Sequence, residues 1–246
     1  MERFFGMRRS HISSAIETFT SVLYDYCIRL LGNPALFQPK FPYYARLVYE
    51  KCGILDSVWG FIDGTLQKTC RLTYFQKRAY SGHKRCHGLK FQTVVTPDGL
   101  IACGFGPVNG NRHDSYMLAE SNLLVQLQEL MPRGEELYSL YGDPAYPQSR
   151  WIFGGYRNPI PGSPEAVWNT EMSKVREVVE WGFKDVVTQW SFLDFRPGMK
   201  VFLVPVSRYY MISLFLTNCQ TTLYGNQTLL YFGARPPTLE EYLNLV

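Results

Sequence analysis

Three acids stand where an apolar element meets a break, and that placement can make a cation site. Asp63 closes the run Val58-Trp59-Gly60-Phe61-Ile62 and is followed by Gly64-Thr65. Asp143 closes Leu137-Tyr138-Ser139-Leu140-Tyr141-Gly142 and is followed by Pro144-Ala145. Glu180 lies among apolar residues at helical spacing between Asn169 and Trp190. A charge at the end of a buried strand is costly unless something pairs with it. One such aspartate alone is read as a turn residue bonding local backbone. Three on separate apolar elements point instead to a shared cation. Carboxylate-only ligation suits hard ions such as Mg²⁺ or Mn²⁺, which keep waters and accept phosphate oxygens. Two such ions about 3.5–4 Å apart can activate a water or a 3′-hydroxyl and stabilise the leaving oxygen of an in-line displacement.

A second feature fits that chemistry. From Lys68 to Lys90 there are seven Lys or Arg and no Asp or Glu, with Tyr74, Phe75, Tyr80, His83 and His87 interleaved. A charge run is often only a solvated face. Aromatics mixed into a run of one sign favour an anionic polymer, because phosphates attract cations and bases stack on rings. Lys77, Arg78, His83, Lys84, Arg85, His87 and Lys90 are the candidate nucleic-acid contacts. The two histidines read as phosphate or base contacts or as plain structural residues, not as metal ligands.

The elements that must hold these groups follow from the pattern. Residues 10–31 have helical apolar spacing, with Ser10 as N-cap and Gly32-Asn33-Pro34 as the stop, and a short helix is expected from Tyr43 to Cys52. The Asp63 strand comes next, then the runs Leu89 to Thr96 and Leu100 to Val108, joined by Pro97-Asp98-Gly99 as a hairpin. Asp114 is expected to cap a helix over 115–130, with residues 132–136 ending it. The Asp143 strand, a loop over 147–168 and the helix 169–190 follow. Val201 to Thr217 should continue into a late helix, and Pro236-Pro237-Thr238-Leu239 should open a short last one. This order predicts an α/β fold, a mixed sheet covered by helices, with the three acids converging at one edge.

Composition bounds the rest. A chain of 246 residues with 46% hydrophobic and 19% charged residues builds one substantial core and is not a disordered segment. A net charge of +4 decides little, since the basic residues are concentrated rather than spread. The six cysteines show neither a Cys-x-x-Cys pair nor zinc spacing and read as reduced thiols. The start lacks the apolar stretch of a signal peptide, and no run reaches the ~18 apolar residues of a membrane span, so no membrane partner is expected.

Taken together, the residues resemble the DDE endonuclease domain of the PIF/Harbinger transposase superfamily. The matching stretches are Phe61-Ile62-Asp63-Gly64-Thr65, the segment from Tyr80 to Gln92, Gly110-Asn111-Arg112-His113-Asp114-Ser115, Gly142-Asp143-Pro144-Ala145-Tyr146, and Val175-Arg176-Glu177 through Phe183. They cover most of residues 55–195 in the right order. The resemblance implies an RNase H-like mixed sheet flanked by helices and a DNA cleavage and strand-transfer activity using two Mg²⁺ or Mn²⁺ ions. It implies Asp63, Asp143 and Glu180 as catalytic residues and metal ligands. Glu177 is the rival to Glu180; the family pattern places an arginine four residues before the acid, and Arg176 fills that place. Pro144-Ala145 stands where many relatives have Ser-Gly.

The resemblance also divides the chain into a helical lead-in, residues 1–54, and a nuclease domain, residues 55–246. The lead-in looks like the second half of a helix-turn-helix, so the chain reads as a fragment, a trimmed gene model or a domesticated copy. Its apolar stripe, Ile12, Ile16, Phe19, Val22 and Leu23, is expected to be covered by the nuclease domain or by the helix near 43–52. Expected partners are DNA, a Myb-like DNA-binding protein and a second copy of the chain, in the nucleus. The alternative reading is a domesticated, non-catalytic DNA-binding or assembly protein on the same fold. A phosphohydrolase of small substrates is disfavoured, because the 68–90 run is too long and too basic for a small ligand.

Overall fold

The computed structural model describes residues 2–132, 137–194 and 198–245. Helices α1 (Glu2–Phe5) and α2 (Arg9–Leu31) lead through a 3-10 turn, Pro34–Lys40, into α3 (Phe41–Cys52). Gly53 stops α3 in the left-handed conformation, its N–H donating to Tyr49 O. Strand β1 (Val58–Lys68), helix α4 (Gln76–Ala79) and strands β2 (Tyr80–Ser81), β3 (Cys86–Val95) and β4 (Ile101–Asn109) follow. Then come α5 (Asp114–Glu120), α6 (Leu123–Leu130), β5 (Ser139–Gly142), β6 (Ile152–Gly154) and α7 (Pro164–Gln189). The described chain ends with α8 (Val206–Tyr224), α9 (Gln227–Phe232) and α10 (Leu239–Leu243). None of the described helices is long and apolar enough to cross a membrane.

The six strands form one mixed sheet with β1 at its centre, antiparallel to β3 and parallel to β5. β2 and β4 pair with β3, and β6 extends the sheet beyond β5. This is the RNase H-like mixed sheet flanked by helices that the sequence led one to expect. β1 runs past its apolar part to Lys68, because residues 64–68 still find partners from Gln92 to Gly88 on β3. Strand length here is set by the neighbour, not by hydrophobicity.

Alternation along β1 assigns its two faces. Trp59, Phe61 and Asp63 share one face: Phe41 of α3 stacks on Trp59 at 4.1 Å, and Phe232 of α9 lies against Phe61 at 6.1 Å. Helix α7 crosses the same face, approaching so closely at Gly182 that a Cβ there would sit 3.2 Å from Val95. The opposite face carries Gly64, beneath Asp114 and Met117 of α5.

The β3–β4 hairpin is pinned by a buried acid. Asp98 accepts from Tyr44 Oη at 2.6 Å and Thr96 Oγ1 at 2.7 Å, with Lys40 Nζ at 3.6 Å. Stranding a buried donor costs about 1–3 kcal/mol; Asp98→Ala strands the Tyr44 hydroxyl, while Thr96 Oγ1 keeps the Leu100 carbonyl at 3.0 Å. We expect Asp98→Ala to lose about 1–3 kcal/mol in urea unfolding, with Asp98→Asn losing clearly less. A loss below about 1 kcal/mol for Asp98→Ala would show the turn indifferent to the carboxylate.

Four local expectations need correction. The helix expected over 115–130 is two helices, broken at Asn122, which is left-handed (φ 54), while most of its stop at 132–136 lies outside the described residues. The loop expected over 147–168 contains β6 and the first turn of α7, where Ser163 accepts from the Ala166 N–H and Pro164 is preset for a helix. The N-cap of α2 is Arg8, not Ser10, and makes no side-chain cap bond. The α2 stripe is covered only in part: Ile12 is buried and Leu23 packs against the core, and where α2 meets α8 and β4 it also buries Cys27, Leu30 and Leu31. Ile16, Phe19 and Val22 remain exposed.

Candidate active site

β1 and β5 run parallel with Ile62 opposite Gly142, so Asp63 and Asp143 leave neighbouring strands side by side. Asp63 Oδ1 accepts the Gly64 N–H at 2.7 Å, and Oδ2 accepts from Arg176 Nη1 at 3.2 Å. Asp143 Oδ1 accepts the Ala145 N–H at 2.7 Å, so the Pro144-Ala145 turn is closed by the acid itself. Glu180 follows Arg176 by one turn of α7, with its Oε1 3.6 Å from Arg176 Nη2. Arg176 therefore links Asp63 to Glu180. Sequence reasoning used Arg176 only as a marker for the acid four residues on. Glu177 points elsewhere: Tyr231 of α9 has its phenol pKa raised chiefly by burial, and Glu177 adds to that rise.

The structure brings Asp63 and Asp143 together but leaves Glu180 outward, its side chain 61% exposed. Among the described residues no three His, Cys, Asp or Glu side chains are grouped closely enough to hold a metal ion. Two observations nevertheless fit a hard cation with its waters. The nearby acids offer only oxygen donors. Tyr146, 1% exposed, has a hydroxyl with no hydrogen-bond partner. Its pKa is pushed well up by burial and then by Asp114, Asp63 and Asp143, so an orphaned hydroxyl lies among three carboxylates.

Asp114 is a site residue whose placement sequence reasoning missed. It was expected to cap the following helix. His113 is the N-cap instead, without a side-chain cap bond, and Asp114 pairs with Lys90 Nζ at 2.8 Å. Its Oδ1 lies 2.6 Å from where a Cβ on Gly64 would be. A side chain at 64 would push the Asp114 carboxylate and the end of Met117 aside. No local signal in the sequence distinguishes this acid from a helix cap; the pair depends on where β3 places Lys90.

Burial dominates the electrostatics of Asp63. It pushes the carboxyl pKa up to about 6, against the lowering effects of the Gly64 N–H and Arg176, while Asp143 and Asp114 push it further up. A raised folded-state pKa favours the neutral form, so the associated stability is full below about pH 4 and is lost as pH rises through about 6. The shift is worth roughly 3 kcal/mol between protonation states. Metal-free Asp63→Asn should therefore be more stable than the parent at pH 8 by up to about 3 kcal/mol, with the gain gone at pH 3.5. Urea titrations at the two pH values check this, and an equal gain at both would remove ionisation as its cause.

The basic candidates divide. Lys77 and Arg78 on α4, and His83, Lys84 and Arg85 in the turn between β2 and β3, are exposed. His87 on β3 is half-buried, packed edge-on to Tyr80 at 5.3 Å. Lys90 is held by Asp114 beside the acids and is not part of that exposed row.

A mixed sheet with carboxylates at the junction of its two parallel central strands, and exposed cations on α4 and the β2–β3 turn beside it, defines a nuclease-type domain. A family profile described as DDE superfamily endonuclease matches residues 62–218, more than half of the chain, and the chain belongs to that family. Searches of curated proteins and of solved structures return no match. Members of the superfamily generally use divalent metal ions.

Proposed function

We propose that the chain is a DNA endonuclease of the PIF/Harbinger transposase type, cutting and rejoining phosphodiesters at Asp63, Asp143 and Glu180. The observation that carries this reading is the side-by-side exit of Asp63 and Asp143 from β1 and β5, with Arg176 reaching from Asp63 to Glu180. Asp63, Asp143 and Glu180 would hold two Mg²⁺ or Mn²⁺ ions, which when bound supply Lewis-acid charge and an activated oxygen nucleophile. Arg176 neutralises two of these acids in the metal-free chain. Once released from them, its planar fork suits phosphate oxygens. The exposed cations of α4 and the β2–β3 turn hold the DNA backbone. Residues 55–246 form the nuclease unit and residues 1–54 its lead-in. The chain acts in the nucleus, with a Myb-like protein and a second copy of itself as partners.

One observation favours a second reading. The Asp63–Arg176–Glu180 link satisfies the acids without metal, as a non-catalytic DNA-binding or assembly protein on this fold would require. Purified chain incubated with supercoiled plasmid separates the two. Nicks that need Mg²⁺ or Mn²⁺ and vanish with chelator are expected. Binding without nicks in either metal would leave the second reading.

A further inference from the structure

Beyond Lys68 the chain leaves β1 and crosses to the segment that precedes α8. The Cys70 N–H donates to Met199 O at 3.1 Å and ties the two together. Two adjoining clefts, of about 370 and 430 Å³, open along this junction and share Leu72, Val201 and Phe202. Their rims carry large exposed side chains: Phe75 is 61% and Phe202 78% exposed, with Tyr74 and Leu203 beside them. Water-facing aromatics of this size are costly to leave uncovered and mark interaction surfaces.

The charges around the rings are of one sign. Arg71, Arg78 and Lys200 line the clefts, and among the described residues no Asp or Glu does. Arg78 stands over the Phe75 ring at 5.3 Å from its centroid. Arg71 bonds the neutral Gln76 at 3.0 Å, and among the described residues no carboxylate pairs with it. Ring faces flanked by uncancelled cations suit a base joined to a phosphate. The cleft size is that of a small-molecule site, enough for a nucleotide and too small for a duplex. In a duplex, stacked neighbours cover the faces of each base and pairing holds its edge, so only an unpaired nucleotide can enter.

We infer that these clefts bind an unpaired nucleotide of the DNA, its base against Phe75 and Phe202 and its phosphate on Arg71, Arg78 and Lys200. The inference rests on the proposed function for its ligand and adds a site that the acids do not provide. Lys68 is five residues from Asp63 along β1, roughly 17 Å at strand rise. The unpaired nucleotide is therefore held well away from the scissile phosphate.

The test compares a blunt duplex with the same duplex carrying a short single-stranded tail that contains 2-aminopurine. The full chain should bind the tailed DNA about tenfold more tightly, since stacking of one base supports roughly 5- to 150-fold. Its 2-aminopurine fluorescence should fall on binding. The double variant Phe75→Ala/Phe202→Ala should lose the preference and the quenching while keeping its affinity for blunt duplex. Both side chains are exposed, so folding is not at stake. Equal binding of the two DNAs by the parent chain, or a preference that survives in the double variant, overturns the inference and leaves the clefts to a protein partner. Metal-dependent nicking with equal binding overturns the cleft alone. Failure to bind either DNA removes the proposed function as well.

Discussion

Asp63→Asn, Asp143→Asn and Glu180→Gln should each lower metal-dependent DNA cleavage by at least about 10³-fold, a barrier increase of roughly 4 kcal/mol. Each replacement keeps the shape of the side chain and removes the charge. At Asp63 the amide oxygen can still accept the Gly64 N–H, and at Asp143 it can still accept the Ala145 N–H. The folds should therefore survive, and DNA binding in chelator should be nearly unchanged. Because the three acids act as one unit, a double variant should be little worse than a single one. Glu177→Gln is the control. That acid contributes to the field at Tyr231 rather than pairing with Arg176, so its variant should cut at near-parental rate. Loss of cleavage in Glu177→Gln with cleavage retained in Glu180→Gln would exchange the roles of the two acids. The assay is plasmid nicking in Mn²⁺ and Mg²⁺ at fixed protein concentration.

The strands that hold the acids were legible because their physics is local. An apolar run ending in Asp-Gly or Gly-Asp states both the strand and its exit, and Pro97-Asp98-Gly99 states a hairpin. What joined those elements was not legible. The parallel register of Ile62 with Gly142 depends on the whole path of the chain between β4 and β5. Helix α7 was visible from its valines, and its start at Pro164 also follows a readable cap, Ser163, that the abundance of Pro, Gly and aromatics nearby obscured. Asp114 was misassigned because a helix-start acid and an acid held by a distant lysine have the same local sequence. Only the placement of Lys90 opposite Leu66, with Val108 on the other side, reveals the pair. The same limit applied to α2. Its stripe gave the helix, but which of its residues would find a surface depended on where the rest of the chain lay.

Replacing Lys77, Arg78, Lys84 and Arg85 together with Gln should weaken binding to duplex DNA on the order of 10²–10³-fold near physiological salt and flatten its salt dependence by about 3–4. Among the described residues no carboxylate pairs with any of the four, and all are exposed. Two lie on α4 and two in the turn between β2 and β3, elements that both adjoin β3, so they form one patch rather than scattered charges. Each phosphate neutralised releases condensed counterions, and the slope of log affinity against log salt counts those contacts at about 0.9 apiece. Contacts to the backbone carry no base information, so the loss should be equal across unrelated duplexes. Lys90→Gln supplies the contrast within the same run. Its ammonium is held by Asp114 at 2.8 Å, so removing it should leave the salt slope unchanged. An unchanged slope in the fourfold variant would return the row to being a solvated face. A Lys90→Gln slope lowered by about 0.9 would mean that DNA draws this lysine away from Asp114, and the cationic surface would then reach the acids themselves.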